Sequence, residues 1–197
     1  MFDKFELSSA KVNGVKINFR MKKNHNASEN AILFLHGFPQ THVMWAGIAD
    51  NFPENYAIIC PDLRGYGDSE KPTGIENFSF RNMAKDQFQL MSQLGFECFH
   101  IVGHDRGGRV AHRMALDETD RIKTITLMDI VPTEFLLSEL TTPVAQSYYH
   151  WFFLAQQSPF PEKLISADPD YFYESCLLGW GAANLENFDP EKLGKYR

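Results

Sequence analysis

The chain has 197 residues, 44% hydrophobic and 22% charged, the composition expected of an ordinary soluble globular protein long enough to bury a sizeable core. Its formal net charge of -6 opposes strong non-specific binding to nucleic acid or to an anionic membrane, each of which needs a basic face. One domain with an appendage is expected at this length.

The opening stretch carries Asp3, Lys4, Glu6 and Lys11 and no apolar run, so no secretory signal is read there. No later run has the length of a membrane span, and the expected location is cytoplasmic. Cys60, Cys98 and Cys176 lie far apart, without C-x-x-C spacing, and read as reduced, mostly buried thiols.

In chain order, Phe5 to Arg20 alternates well enough for a hairpin turning at Asn13-Gly14. Four apolar runs follow, each with the look of a strand buried on both faces: Ala31 to Gly37, Tyr56 to Asp62, Cys98 to Asp105 and Ile122 to Asp129. Stretches with helical spacing lie between them, at Thr41 to Phe52, Ser79 to Gly95 and Arg106 to Glu118. This alternation implies an α/β fold, a mostly parallel sheet with right-handed crossovers and helices on both faces. Beyond Pro132 the strand signals stop, and Ala145 to Gln156, Pro161 to Asp168 and Pro169 to Gly181 read as helices. The expected organisation is a core over residues 1–132 and a helical cap, or lid, over residues 133–197.

Gly103-His104-Asp105-Arg106-Gly107-Gly108 carries the sharpest chemical signal. A buried strand enters it and a helix leaves it, the context of the nucleophile elbow G-x-S-x-G with Asp105 in the serine position. The central residue of such a turn is strained, and Gly103 and Gly107 supply the room that flanking Cβ atoms would fill. The competing reading makes Asp105 an ordinary helix N-cap. Arg106 and Arg109 weigh against that reading, because cations in a first helical turn oppose the macrodipole and call for an anion nearby. Asp105 supplies one, and an anionic ligand would supply another.

His36-Gly37-Phe38-Pro39 stands after the first apolar run, where an oxyanion-hole loop belongs. The backbone N–H groups of Phe38 and Arg106 are the expected donors; the alternative is a strand-ending turn. In Asp62-Leu63-Arg64-Gly65-Tyr66-Gly67-Asp68-Ser69, Asp62, Arg64 and Asp68 are expected to form a charge network that holds a glycine-rich loop. Asp129 ends the fourth run, at the strand end where α/β folds build their sites. It reads either as an orienting carboxylate or as another loop acid. Tyr148-Tyr149-His150-Trp151 reads as packing or, through its N–H donors, as a ligand contact. The seven histidines show no H-E-x-x-H pairing; with no P-loop and no G-x-G-x-x-G either, neither metal nor cofactor is implied.

Taken together, HGFPQTHVMW, PDLRGYGDSEKP, GHDRGGRVAHRMALD, MDIVPT and YYHWFF resemble the fluoroacetate (haloacetate) dehalogenase branch of the α/β-hydrolases over essentially the whole chain. The resemblance implies that Asp105 is the nucleophile, Asp129 the triad acid, Arg106 and Arg109 the clamp on a substrate carboxylate, and His150 with Trp151 the halide site. It implies hydrolytic dehalogenation of a small 2-halocarboxylic acid through an aspartyl ester. Two alternatives are an epoxide hydrolase with Tyr148 or Tyr149 activating the epoxide, and a non-catalytic binder of small acids. Arg106 replaces the tryptophan usual after the nucleophile in haloalkane dehalogenases.

The chain departs from the family pattern in one respect: no residue up to Arg197 matches the catalytic histidine, which the family places after its last strand. The chain therefore reads as a truncated piece of a longer enzyme, expected to alkylate itself at most once. A sheet lacking its last strands would leave an open edge, and association, as in a homodimer, is expected of it.

Overall fold

The computed structural model describes residues 1–23, 30–179 and 184–196. The chain divides into two compact units, Met1–Ile130 and Val131–Arg197.

Among the described residues of the first unit, six strands form one sheet in the order β1-β2-β4-β3-β5-β6. β1 (Glu6–Val12) and β2 (Val15–Lys22) form the expected hairpin, with Val12 opposite Val15. Asn13 and Gly14 adopt φ of 44° and 82°, the paired positive values that a two-residue turn between right-twisted strands requires. β4 (Ala57–Pro61) runs antiparallel to β2, and the pairs β3 (Ala31–Leu35) with β4, β3 with β5 (Phe99–His104) and β5 with β6 (Ile122–Met128) are parallel.

Strand periodicity divides the core between the two faces of the sheet. Ile32, Phe34, Ile58 and Cys60 pack with Trp45, Ala46 and Ala49, from the 3₁₀ turn His42–Trp45 and α1 (Ala46–Ala49). Leu33, Leu35, Ile59 and Ile101 pack on the other face with Met83, Phe88 and Leu90 of α2 (Phe80–Gln93) and Val110 and Met114 of α3 (Arg106–Asp117). The chain leaves β3 toward β4 on one side and returns to β5 on the other. The reversal falls at the carboxyl ends of β3 and β5, the position at which α/β sheets place ligands.

The structure departs from the sequence expectation at β6. This strand is not buried on both faces: Ile125, Leu127 and Met128 are 38%, 41% and 39% exposed. The strand lies at the sheet edge and pairs on its outer side with no strand among the described residues. An apolar run reports suitability for burial; the neighbours decide whether burial happens.

A second departure concerns Arg64, whose anion is not Asp62 or Asp68. Its Nε and Nη2 donate to Asp86 Oδ2 and Oδ1 of α2 at 2.6 and 2.5 Å, and Nη1 donates to the Asn77 carbonyl at 2.9 Å. Both members of this forked pair are buried, and the pair ties the glycine-rich loop to α2.

The second unit is helical in its described residues: α4 (Thr133–Ser138), α5 (Thr142–Ser147), α6 (Tyr149–Leu154), α7 (Phe160–Ile165), α8 (Pro169–Leu178) and α9 (Pro190–Tyr196). The helix expected over residues 145–156 is broken at Tyr148, with φ -96° and ψ 25°, so its first part belongs to α5. Aromatic residues have modest helix propensity, and the Tyr148 ring packs on Trp151, 5.3 Å between centroids. Asp168 caps α8 by accepting from the Tyr171 N–H at 3.1 Å, with Pro169 at the first position. The expected end of this helix at Gly181 lies outside the described residues. Among those described, no helix is long and apolar enough to cross a membrane.

Removing one partner of a buried ion pair strands the other. Asp86→Ala is therefore expected to lower the unfolding free energy by about 3 kcal/mol in urea titrations, and a second change, Arg64→Met, to restore part of it. A loss under about 1 kcal/mol in the single variant would contradict this account of the pair.

Candidate active site

The sharp bend between β5 and α3 exists because three positions have no side chain. A Cβ on Gly103 would lie 2.5 Å from the Gly107 carbonyl oxygen, and one on Gly107 would lie 2.3 Å from that of Leu35. A Cβ on Gly37 would lie 2.5 Å from the Asp105 Cβ. Asp105 sits at the apex with φ 47° and ψ -115°, a conformation that costs a non-glycine residue about 1–3 kcal/mol and persists where packing enforces it.

Asp105 occupies the N-cap position of α3, yet its side chain makes no capping hydrogen bond. Oδ1 instead accepts the Phe38 backbone N–H at 2.8 Å. The capping alternative fails, and the half-buried carboxylate is held against the His36-Gly37-Phe38-Pro39 loop. The Asp105 carbonyl accepts the first α-helical bond, from the Arg109 N–H at 3.1 Å.

That loop is fixed from beneath by buried imidazoles and one carboxylate. The Leu63 N–H donates to His36 Nε2 at 3.0 Å, so this nitrogen carries no proton; the ring's proton is on Nδ1, which donates to the Gly37 carbonyl at 3.1 Å. Burial depresses the His36 pKa to about 4, against the pull of the Asp62 charge and the Gly37 bond. Asp62 Oδ1 lies 4.0 Å from His36 Nε2, too far for a hydrogen bond, and the Leu63 N–H already fills that position.

Asp62 accepts the His42 N–H and Nδ1 on Oδ1, at 3.0 and 2.7 Å, and Asn18 Nδ2 and the Asp68 N–H on Oδ2, at 3.1 and 3.2 Å. Burial alone would raise its pKa; the bonds and charge of His42, with His36 beside it, outweigh that and hold it at about 2. Of the network expected for this loop, Asp62 and the Asp68 backbone belong together, and Arg64 belongs with Asp86. His42 was not singled out in the sequence, and its twenty-residue separation from Asp62 gives no local signal.

On α3, Arg106 and Arg109 stand one turn apart, and the first turn holds no acidic residue. Arg109 is buried. The Arg106 guanidinium carbon lies 5.2 Å from the Phe80 ring centroid, a cation–π contact, and Arg106 Nε is buried without a hydrogen-bond partner among the described residues. No ion pair joins Arg106 to Asp105 among the described residues. The expected compensation by Asp105 is replaced by the Phe80 ring, which orients the guanidinium without neutralising it.

The β5–β6 register sets His104 opposite Met128, and the Asp105 N–H donates to the Met128 carbonyl at 3.2 Å, so Asp129 and Asp105 each follow directly on the end of neighbouring strands. Asp129 also has a positive φ, 55°, and its exposed carboxylate lies 3.6 Å from His104 Nε2. Asp105, Phe38, Arg106, Arg109 and Asp129 thus all belong to the first unit.

His150 and Trp151 belong to the second, on α6, where both are half-buried. The His150 ring stacks on Tyr148 with centroids 6.4 Å apart and meets the Tyr149 edge at 5.7 Å. Among the described residues no group of three or more His, Cys, Asp or Glu is arranged to hold a metal ion.

The sheet, the strand–turn–helix bend at Asp105 and the His36-Gly37-Phe38-Pro39 loop bonded to it together define a class. Residues 30–196 match the alpha/beta hydrolase fold family, and the chain belongs to it. Within that family, the chain is 51% identical over its whole length to a fluoroacetate dehalogenase from Burkholderia sp, covering 64% of that protein. It is 34% identical over 95% of its length to a soluble epoxide hydrolase from Corynebacterium sp. (strain C12), again covering 64%. A solved α/β-hydrolase structure from Nostoc sp PCC 7120 superposes with a TM-score of 0.93 at 45% identity, covering all of this chain and 67% of the other. The chain thus spans 64% of the length of these two curated relatives.

Two outcomes follow from the loop. Gly37→Ala is expected to cost about 1–3 kcal/mol in denaturant titrations, because backbone and Asp105 must separate; an unchanged midpoint would contradict the close approach. The second concerns pH, with Asp62, His42, Asp105 and the Tyr66 ring facing His36. Between its folded pKa of about 4 and its unfolded value near 6.5, only the unfolded chain binds the His36 proton. Stability should therefore fall as pH drops through this window, by on the order of 3 kcal/mol for about 2.5 units. His36→Asn should flatten that limb, and an equal slope in the variant would refute the assignment.

Proposed function

We propose that this hydrolase-family chain carries the nucleophilic half-reaction of a haloacid dehalogenase, cleaving a carbon–halogen bond in a small 2-halocarboxylic acid such as fluoroacetate or chloroacetate. The observation that carries this reading is the Asp105 carboxylate on a strained apex, bonded to the Phe38 N–H and followed on the same helix by two arginines.

Arg106, whose buried Nε meets no acceptor among the described residues, and Arg109 would receive the substrate carboxylate. A forked guanidinium is suited to that anion and has no counterpart in a neutral epoxide. An oxygen of Asp105 attacks the carbon bearing the halogen; the carbon–oxygen bond forms as the carbon–halogen bond breaks, and halide leaves with the bonding pair. Water then adds to the Asp105 carboxyl carbon, yielding a proton to a base; as the bond between that carbon and the ester oxygen breaks, the departing oxygen takes a proton back, releasing the 2-hydroxy acid and regenerating the Asp105 carboxylate. In that step negative charge collects on Asp105 oxygen, where the Phe38 N–H points and the Arg106 N–H is the proposed second donor. Asp129 is assigned the orienting carboxylate. The halide-binding role of His150 and Trp151 is carried by the family resemblance alone. The reading places no metal or cofactor in the reaction.

The soluble epoxide hydrolase relative supports a second reading with the same aspartate chemistry, in which Tyr148 or Tyr149 would activate the epoxide. Incubation with chloroacetate should release chloride and add one carboxymethyl group to the chain by intact mass, located on Asp105 and absent from Asp105→Ala. Chloride release unchanged by that substitution would sink the assignment. Diol formation from styrene oxide, with no reaction of chloroacetate, would favour the epoxide reading.

A further inference from the structure

The Gly37–Phe38 peptide group is bonded at both ends. Its carbonyl, on Gly37, accepts the His36 Nδ1–H at 3.1 Å, and its N–H, on Phe38, donates to Asp105 Oδ1 at 2.8 Å. This peptide bond is trans, so its C=O and N–H point in opposite directions across one rigid plane. Fixing the direction of the carbonyl therefore fixes the direction of the N–H. The imidazole cannot turn to release it, because the Leu63 N–H holds Nε2 at 3.0 Å and the ring is fully buried.

We infer that His36 is a positioning residue that aims and polarises the Phe38 N–H at Asp105, acting through the single peptide group between them. Two effects follow from this arrangement. The rotation of the peptide plane about its flanking bonds is restrained, so the donor is in place before charge develops on the Asp105 oxygen. Withdrawal of electron density at the carbonyl also makes the N–H of the same amide a better donor, the cooperative strengthening expected along a hydrogen-bonded chain. The sequence Leu63 N–H, His36 ring, Gly37–Phe38 peptide, Asp105 carboxylate is such a chain, with every donor pointing the same way along it.

The two ring nitrogens have different jobs, and amide side chains separate them. In His36→Asn the side-chain NH₂ can stand where Nδ1 stands and donate to the Gly37 carbonyl, whereas Leu63 loses its acceptor. In His36→Gln the longer side chain reaches the Nε2 position and can accept from Leu63, but the Gly37 carbonyl loses its donor. A merely structural role would make the two variants fail alike, or in proportion to lost stability.

The geometric half of the inference needs no chemistry for its test. Amide hydrogen exchange of Phe38 in the full chain, followed by NMR at neutral pH, should be slow in the wild type and in His36→Asn and at least about tenfold faster in His36→Gln. Neighbouring strand amides should stay unchanged. Equal protection of Phe38 in both variants, or its loss in both, overturns the proposal.

The chemical half rests on Asp105 being alkylated, as proposed above. After carboxymethylation with chloroacetate and removal of the reagent, decay of the Asp105 ester is followed by intact mass. Decay is read as a first-order rate on the esterified fraction alone, so differences in how fast the ester forms do not enter the comparison. Ester decay should be about 100-fold slower in His36→Gln than in His36→Asn, the scale on which loss of one oxyanion donor is felt. Equal decay rates overturn the inference. Wild-type protein that never forms the ester overturns the reading of Asp105 instead, and the exchange result then decides the positioning claim alone.

Discussion

The site depends on how closely two chain segments approach. The loop after β3 and the bend after β5 come together at Gly37 and Asp105, where a single added Cβ would sit 2.5 Å from another. Gly103 and Gly107 allow the chain to reverse within the same small volume, and the backbone strain at Asp105 is maintained by the packed strands and helix around it. The sheet order reverses at β3, so both segments leave the sheet at the carboxyl ends of neighbouring strands, where α/β folds place ligands. Without that approach, the Phe38 N–H would have no reason to meet Asp105.

Electrostatics around the carboxylate divide into two layers. Beneath it, charge is buried and matched: Asp62 is met by four donors, and Arg64 is met by Asp86 and a carbonyl. Around it, Arg106 meets no carboxylate among the described residues. Arg106 leans on the Phe80 ring, and its first helical turn holds no acid. Matched charges hold loops in place, and unmatched ones attract ligands of opposite sign.

Much of this was legible in the sequence, for identifiable reasons. Asn13-Gly14 announced the hairpin because few other residue pairs tolerate both positive φ values. Gly103, Gly107 and His36-Gly37-Phe38-Pro39 announced the elbow and its loop because close backbone approach leaves glycine no substitute. What was not legible depends on contacts between distant segments. The Arg64 partner lies twenty-two residues away on a helix, and the sequence around Arg64 offered two nearer acids. The exposure of β6 and the break at Tyr148 are set by neighbours and not by composition. The role of His36 was hidden as well, because the tautomer that defines it is set by the Leu63 amide.

The segment after β4 combines a flexible composition with a rigid build. Rich in glycine and polar residues, it closes on itself: Gly65 N–H bonds the Glu70 carbonyl, Ser69 Oγ the Asp62 carbonyl, and Glu70 N–H reaches Lys16 on β2. Gly67, with φ 47°, leans so near the Asp62 carboxylate that a methyl group there would lie 2.4 Å from it. Such a loop has a fixed length. Inserting or deleting even one residue between Asp62 and Glu70 would unseat a buried anion, so this stretch should be a poor place to splice in a tag or another domain, although many exposed loops accept one.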